Sequence, residues 1–394
     1  MTNMPEIRFK GFTDAWTQRK LGEVVEKLKS YSLSRDVETN DATGYRYIHY
    51  GDIHKQVADM VTRDEQLPNI KIGNYIPIAQ GDLVLADASE DYTGIAEPCV
   101  VLHTPKDKII AGLHTIAIRP IDTNPLFLYH LFHTDGFKKF GSHVGTGLKV
   151  FGITFTNLAQ YDMKAPTLPE QTAIGSFFRT LDDIIHATQR KVALLKQLKT
   201  AYLQQMFPQD GERVPRVRFA GFAGDWEIRT IESFADVKTG GKDTQDAISD
   251  GEYDFYVRSP KIEKINSYSF DGEAVLTVGD GVGVGKVFHY VNGKFDYHQR
   301  VYKISDFNDV YGLFFYQYFA TNFIKESQKY NAKTSVDSVR REMITKMLIP
   351  CPAIEEQITI GDFFHNLDTQ ITTQSEKAEK LKQLKSAYLQ KMFT

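Results

Sequence analysis

The sequence predicts an α/β protein with a pseudo-two-fold internal repeat: two mixed α/β domains separated by two long helices that pair as a coiled coil. Three observations predict it. The segment Glu170–Phe207 recurs as Glu356–Phe393 at a constant offset of 186 residues, without a gap. The motif Ile7-Arg8-Phe9-Lys10-Gly11-Phe12 recurs as Val217-Arg218-Phe219-Ala220-Gly221-Phe222 at an offset of 210, and the only tryptophans, Trp16 and Trp226, follow in the same register. Between each such opening and each long segment lies a body of short strand-like runs and aromatic stretches. A repeat of this size governs the fold and has to be read before its parts.

The long segments are helical by periodicity. In the first, Leu181, Ile185, Thr188, Val192, Leu195, Leu198, Tyr202 and Met206 step by three or four. In the second, Leu367, Ile371, Gln374, Ala378, Leu381, Leu384, Tyr388 and Met392 do the same. That is an a/d seam over more than three heptads, flanked by Lys, Gln and Glu and broken by no Pro or Gly. A helix of about 38 residues rises ~1.5 Å per residue and spans roughly 57 Å, a length suited to a spacer. A helical hairpin inside one core is the alternative, and the domain-sized insert between the two segments argues against it.

The 394 residues suffice for two or three domains. Apolar and charged fractions, 42% and 25%, are those of an ordinary globular protein. A formal net charge of −3 provides no global basic field, although a local basic face remains possible. Cys99 and Cys351 are far apart and lack metal-ligand spacing, which predicts reduced thiols and a cytosolic setting. The opening MTNMPEIRFKGF has no apolar core of a signal peptide, and no apolar run reaches membrane-spanning length.

The two bodies share a plan and differ in content; the first is 24 residues longer, the difference between the two offsets. Gly81-Asp82-Leu83-Val84-Leu85 and Gly272-Glu273-Ala274-Val275-Leu276 each read as a turn and a short buried strand, followed by small-residue loops. His114–Arg119 and Gln299–Ile304 alternate as strands, and Leu126–Phe132 and Leu313–Phe319 read as aromatic helices. Each body ends in a polar segment, 145–149 or 331–341, and a Pro-bounded strand that leads into the long helix. The strands are expected to be mostly antiparallel, in an order that the sequence does not reveal.

These motifs carry a resemblance. RFKGFTDAW followed by QRKLGEV, the GDLVLA and GEAVLT strands, and the EQxxIGxFFxxLDxxI…LKQLKxAYLQxMF helices resemble the specificity subunit of type I restriction-modification systems over essentially the whole chain. The resemblance implies a first target-recognition domain over 1–165, a first conserved helical region over 166–210, a second recognition domain over 211–351 and a second helical region over 352–394. It further implies that the long helices run antiparallel. Each recognition domain would read one half of a split target in double-stranded DNA. The helices would set the spacing and dock two methylation subunits, and restriction subunits would join that core in the cytoplasm. The methyl donor S-adenosylmethionine would sit on the methylation subunit, with no cofactor bound by this chain.

The residues themselves offer no catalytic centre. Asn124-Pro125-Leu126-Phe127 lacks the second Pro of an amino-methyltransferase tetrapeptide and reads as a helix start. Gly279-Asp280-Gly281-Val282-Gly283-Val284-Gly285-Lys286-Val287 fails the phosphate-loop pattern, because Asp280 and Val287 stand where Gly and Ser or Thr are required. It reads better as a loop that brings backbone close to DNA or to a neighbouring strand. His130 and His133 share a helix face but have no third metal ligand nearby, and no metal site is expected.

DNA contact asks for Lys, Arg and small hydroxyl residues on loops, with polar side chains to reach base edges. In the first body the candidates are Lys29, Ser32, Arg35, His49, Ser89, Tyr92 and Lys149. In the second they are Lys238, Lys242, Arg258, Lys261, Lys286, Lys333, Arg340 and Arg341, with the clusters 238–242 and 333–341 the most convincing. Phe177-Phe178 and Phe363-Phe364 recur at the roots of the helices. They either bind the methylation subunits or bury against the chain's own domains. A coiled-coil adaptor that joins proteins without reading DNA is the competing function, and the unlike, basic loop sets argue for DNA.

Overall fold

The structure, a computed structural model, describes residues 4–91, 94–147, 151–209, 211–329 and 338–393. The chain forms two compact units, Met1–Thr188 with Lys377–Thr394, and Gln189–Glu376. Each holds one body, the first part of its own long helix and the last part of the other.

In the first unit, strands β1 (Thr17–Lys20), β2 (Val25–Lys27) and β3 (Tyr45–Ile48) lead to helix α1 (Tyr50–His54). Then come β4 (Met60–Val61), β5 (Leu83–Ala86), β6 (Ala88–Ser89), β7 (Pro98–Val101), β8 (Lys108–Ala111) and β9 (Thr115–Pro120). Helices α2 (Pro125–Phe132) and α3 (Asp135–Val144), strand β10 (Phe151–Gly152), helix α4 (Phe155–Leu158) and strand β11 (Asp162–Ala165) precede the long helix α5 (Leu168–Gln205). A five-stranded sheet has the order β2-β9-β5-β7-β4. Its pairs are antiparallel except β4 with β7, and β3 pairs β8 in parallel outside it. Leu83, Val84, Leu85 and Ala86 of the central β5 are all 0% exposed, because apolar layers cover both faces of the sheet.

In the second unit, β12 (Glu227–Thr230), β13 (Asp236–Thr239), β14 (Tyr253–Tyr256), β15 (Ile262–Ile265), β16 (Phe270–Val278), β17 (Phe288–Tyr297) and β18 (Val301–Ser305) precede α6 (Gly312–Gln328). Helix α7 (Arg341–Thr345), strand β19 (Leu348–Cys351) and the long helix α8 (Ile354–Phe393) complete it. One six-stranded sheet has the order β13-β18-β16-β17-β14-β15, with only β14–β17 parallel. The expected antiparallel preference therefore holds with three parallel exceptions. Gly272, expected in a turn, lies within β16 at φ +146°, a backbone value that favours glycine.

The frame is repeated contact for contact. β1 pairs β11 with Thr17 opposite Ala165, and β12 pairs β19 with Glu227 opposite Cys351, the same register displaced by the two offsets. Ile7 N–H donates to Lys391 O, and Val217 N–H donates to Gln205 O. Gln171 accepts from the Asn124 N–H and donates to Pro166 O; Gln357 accepts from the Tyr311 N–H and donates to Pro352 O. Trp16 packs on Phe127 and Trp226 on Phe314, each tryptophan buried in its own core. Asn124 caps α2 by accepting from the Phe127 N–H, with Pro125 in the first turn, so the tetrapeptide-like stretch is a helix start.

Within each unit the long helices run antiparallel. Phe177 meets Tyr388 and Asp182 meets Lys385 in the first; Tyr202 meets Phe363 and Lys199 meets Asp368 in the second. Numbers rise along one helix as they fall along the other. One seam position is corrected in both copies. Leu198 and Leu384 are 42% and 43% exposed, whereas Lys199 and Lys385 turn inward and pair with the aspartates. The spacing 195–199–202 fits a helix as well as 195–198–202, and a cross-helix carboxylate selects the lysine.

Candidate nucleic-acid interface

The second unit gathers its candidate residues by backbone bonds between loops. Lys242 bridges to His298, and its carbonyl accepts from the Gln299 N–H at 2.8 Å. Gly240 passes so close to the next strand that a Cβ there would lie 1.9 Å from the Tyr297 carbonyl oxygen. The Gly279 N–H donates to Arg300 O, and the Val339 N–H donates to Gly279 O, both at 2.7 Å. Arg341 donates from Nε to Val237 O at 3.0 Å. The stretches around residues 240, 258, 280, 299 and 340 therefore form one hydrogen-bonded cluster.

The charges in this cluster are paired with one another. Arg258 donates to Asp280 at 3.3 Å, and Arg300 Nε lies 3.5 Å from the same carboxylate. Arg300 is a member that sequence reading missed; its only local signal is its place just before a strand opposite the glycine-rich loop. Lys238 pairs with Asp236, which lowers the Asp236 pKa through their hydrogen bond. Lys261 pairs with Glu263, Lys286 is exposed, and Arg340 is exposed at the start of α7. Burial lowers the His298 pKa; Asp243 and Asp280 oppose that shift, and Arg258 and Arg300 add to it.

In the first unit, Arg35, His49 and Ser89 line one cleft of 690 Å³, together with Tyr50, His54 and Lys138. Arg35 is 42% exposed and is held by Glu38 and Asp52 at 2.6 and 2.7 Å. Tyr50 is ringed by His49, His54 and His114 at centroid distances of 4.6, 5.9 and 5.3 Å. Two of these candidates are buried and engaged locally. His49 is 7% exposed and caps α1 through Nδ1, which accepts from the Gly51 N–H, and burial lowers its pKa. Ser89 is 5% exposed, and its Oγ accepts from the Asp91 N–H. Both hold the loops that form the cleft rather than reaching out from it. Lys29, with its ammonium over the Tyr31 ring, and Ser32 are exposed and do not line the cleft. Tyr92, Lys149 and Lys333 lie outside the described residues.

The phenylalanine pairs are also resolved in part. Phe178 and Phe364 are 0% exposed, packed on Phe393 and Phe207, so neither presents a surface to another subunit. Phe177 and Phe363 are half-buried against Phe9 and Phe219 of the opening motifs. The pairs lock each opening motif onto its helices. His130 is fully buried. Among the described residues there is no cluster of His, Cys, Asp or Glu able to hold a metal ion, and no helix long and apolar enough to cross a membrane.

One frame used twice and two unlike loop sets define a duplicated scaffold. The chain belongs to the type I restriction modification DNA specificity domain family, whose model matches residues 13–197 and 223–385. A 170-residue stretch is 27% identical to the specificity subunit of the Escherichia coli type I restriction enzyme EcoDI; it covers 43% of this chain and 37% of that protein's length. Among solved structures, the type I restriction-modification S subunit from M. genitalium superposes with a TM-score of 0.70 at 13% identity, over 99% of each chain. A chain from a type I R-M system, solved to explain complex assembly and conformational transition, matches with a TM-score of 0.50 at 18% identity over 97% of this chain and 98% of that one.

Proposed function

We propose that the chain is the DNA sequence-specificity subunit of a type I restriction-modification complex and that each unit reads one half of a bipartite target. The observation that supports this most directly is the contrast within the repeat. The frame recurs in the same register, while the loops carrying Arg35 and the cleft in one unit, and Arg258, Arg300 and Lys286 in the other, have no common pattern. A scaffold that keeps its frame and varies its loops is suited to reading two different sequences. Two methylation subunits dock on the long helices and bring S-adenosylmethionine, and restriction subunits join them. Chemistry resides in those partners, the helices set the spacing between half-sites, and the complex works in the cytoplasm.

The test uses the chain in complex with its methylation subunit. Duplex DNA should be retarded with an affinity that falls steeply as salt rises, because phosphate contacts release counterions. Exchanging residues 233–350 for the matching body of a related chain should change one half of the methylated target and leave the other intact. No retardation at any salt concentration would favour the adaptor reading, and a change in both halves would overturn the division of labour.

A further inference from the structure

The loop between β16 and β17 carries a side chain that phosphate binding does not use. Its base is fixed by the bonds of Gly279 to Arg300 and Val339. Gly283 lies against the Arg258 carbonyl, where a Cβ would come within 2.6 Å of the oxygen. Val284 and Val287 are 5% and 4% exposed, anchored in the core of the unit. Val282, at the middle of the turn Gly281–Gly283, is 92% exposed. On the loop's own Asp280 converge Arg258 and Arg300, whose side chains remain 50% and 64% exposed. A turn anchored at its base thus presents one β-branched apolar side chain beside two guanidinium groups held on a common carboxylate.

We propose that Val282 is a specificity-determining residue of the second unit, packing its methyl groups on the 5-methyl group of a thymine in the major groove. Phosphates and polar base edges gain nothing from an exposed valine. The apolar group that B-DNA offers in the major groove is the thymine methyl, and short apolar side chains contact it there. The neighbouring arginines suit the same groove, since guanidinium groups pair with guanine O6 and N7. A wedge between base steps is made by larger side chains such as Phe, Leu, Ile or Met, which reach further than valine.

The proposal rests on the DNA-specificity reading, and its test separates the two. Methylation mapping with the 233–350 exchange defines the half-site that the second unit reads. Each thymine of that half is then replaced in turn by deoxyuridine, which lacks only the methyl group, in duplexes titrated with the complex of this chain and its methylation subunit. One replacement should weaken binding roughly threefold to fivefold, the worth of one methyl group leaving water. Val282→Ser, which removes no buried contact and replaces the apolar tip with a hydroxyl, should bind that modified duplex and its parent equally well. A half-site without thymine, indifference of the natural complex to every replacement, or retained discrimination by Val282→Ser would each overturn the proposal. The salt-dependent retardation measured in the same titrations would leave the DNA reading standing, whereas its absence would remove both.

Discussion

Arg8 grips Glu170 across 162 residues with two parallel bonds, Nε to Oε1 at 2.6 Å and Nη2 to Oε2 at 2.7 Å, and Arg218 grips Glu356 in the same way at the same distances. Both carboxylates are essentially unexposed, at 0% and 1%. Each pair ties an opening motif to the first turn of a long helix. Arg8→Ala would leave a buried, uncompensated carboxylate, at a cost of about 3–5 kcal/mol. Denaturant titration of the intact chain should show the first unit destabilised by that amount, whereas Arg8→Ala with Glu170→Leu should recover most of it.

The inward lysines are repeated in position but not in surroundings. Asp368 accepts from Lys199 and also from Gln317, and is 37% exposed. Asp182 is 6% exposed, and its Oδ2 has no hydrogen-bond partner beyond the Lys385 contact at Oδ1. Lys385→Met should therefore cost about 3 kcal/mol or more, as for a stranded buried charge. Lys199→Met, beside a partly solvated carboxylate with a second partner, should cost under about 1 kcal/mol. Melting curves of the two variants measured side by side would show this ordering.

His130 stands where Gln317 stands in the second unit, but neither ring nitrogen is hydrogen-bonded. Burial first, then Lys385, His133 and Arg179, holds its pKa well below the ordinary imidazole value. The unfolded chain takes up this proton near pH ~6.5. Below that pH the unfolded state binds a proton that the folded state refuses, so stability falls as the solution is acidified and is level above it. The slope approaches ~1.4 kcal/mol per pH unit. His130→Gln should flatten it and, by donating to Asp182 as Gln317 donates to Asp368, add about 1 kcal/mol. Denaturant midpoints at pH 7.5 and 5.5 would read both effects.

Gly240 and Gly241 offer a matched pair. A Cβ at Gly240 would collide with the Tyr297 carbonyl, whereas one at Gly241 meets nothing within 4 Å. Gly240→Ala is expected to cost about 1–3 kcal/mol and displace the Lys238–Lys242 stretch. Gly241→Ala is expected to be neutral. If the cluster binds DNA, only the first substitution should weaken retardation.

The frame was legible because it is written twice: Trp16, Arg8, Gln171 and Glu170 each have a counterpart, and each makes the same contact in both units. The seam was legible to within one residue, failing at Leu198 and Leu384, where hydrophobicity favoured the leucine and a carboxylate on the facing helix favoured the lysine. The candidate interface was less so. His49 and Ser89 carry polar side chains of the right kind but use them on local backbone groups, a choice that side-chain type does not encode. Arg300 joins the cluster only through strand pairing distant in sequence.

The near-identity of Leu195–Phe207 and Leu381–Phe393 has a genetic consequence. Stretches of protein this alike can be encoded by stretches of gene that recombine with each other or with those of a related gene. Because the copies stand a whole number of residues apart without a gap, a crossover in register preserves the reading frame. Between related genes it would exchange an entire body with its loops and leave the antiparallel seam to be made by nearly the same side chains, whereas between the two copies of one gene it would delete or duplicate the 186 residues that separate them. If each body reads one half of a DNA target, as proposed, a single such event would exchange one half-site reader for another.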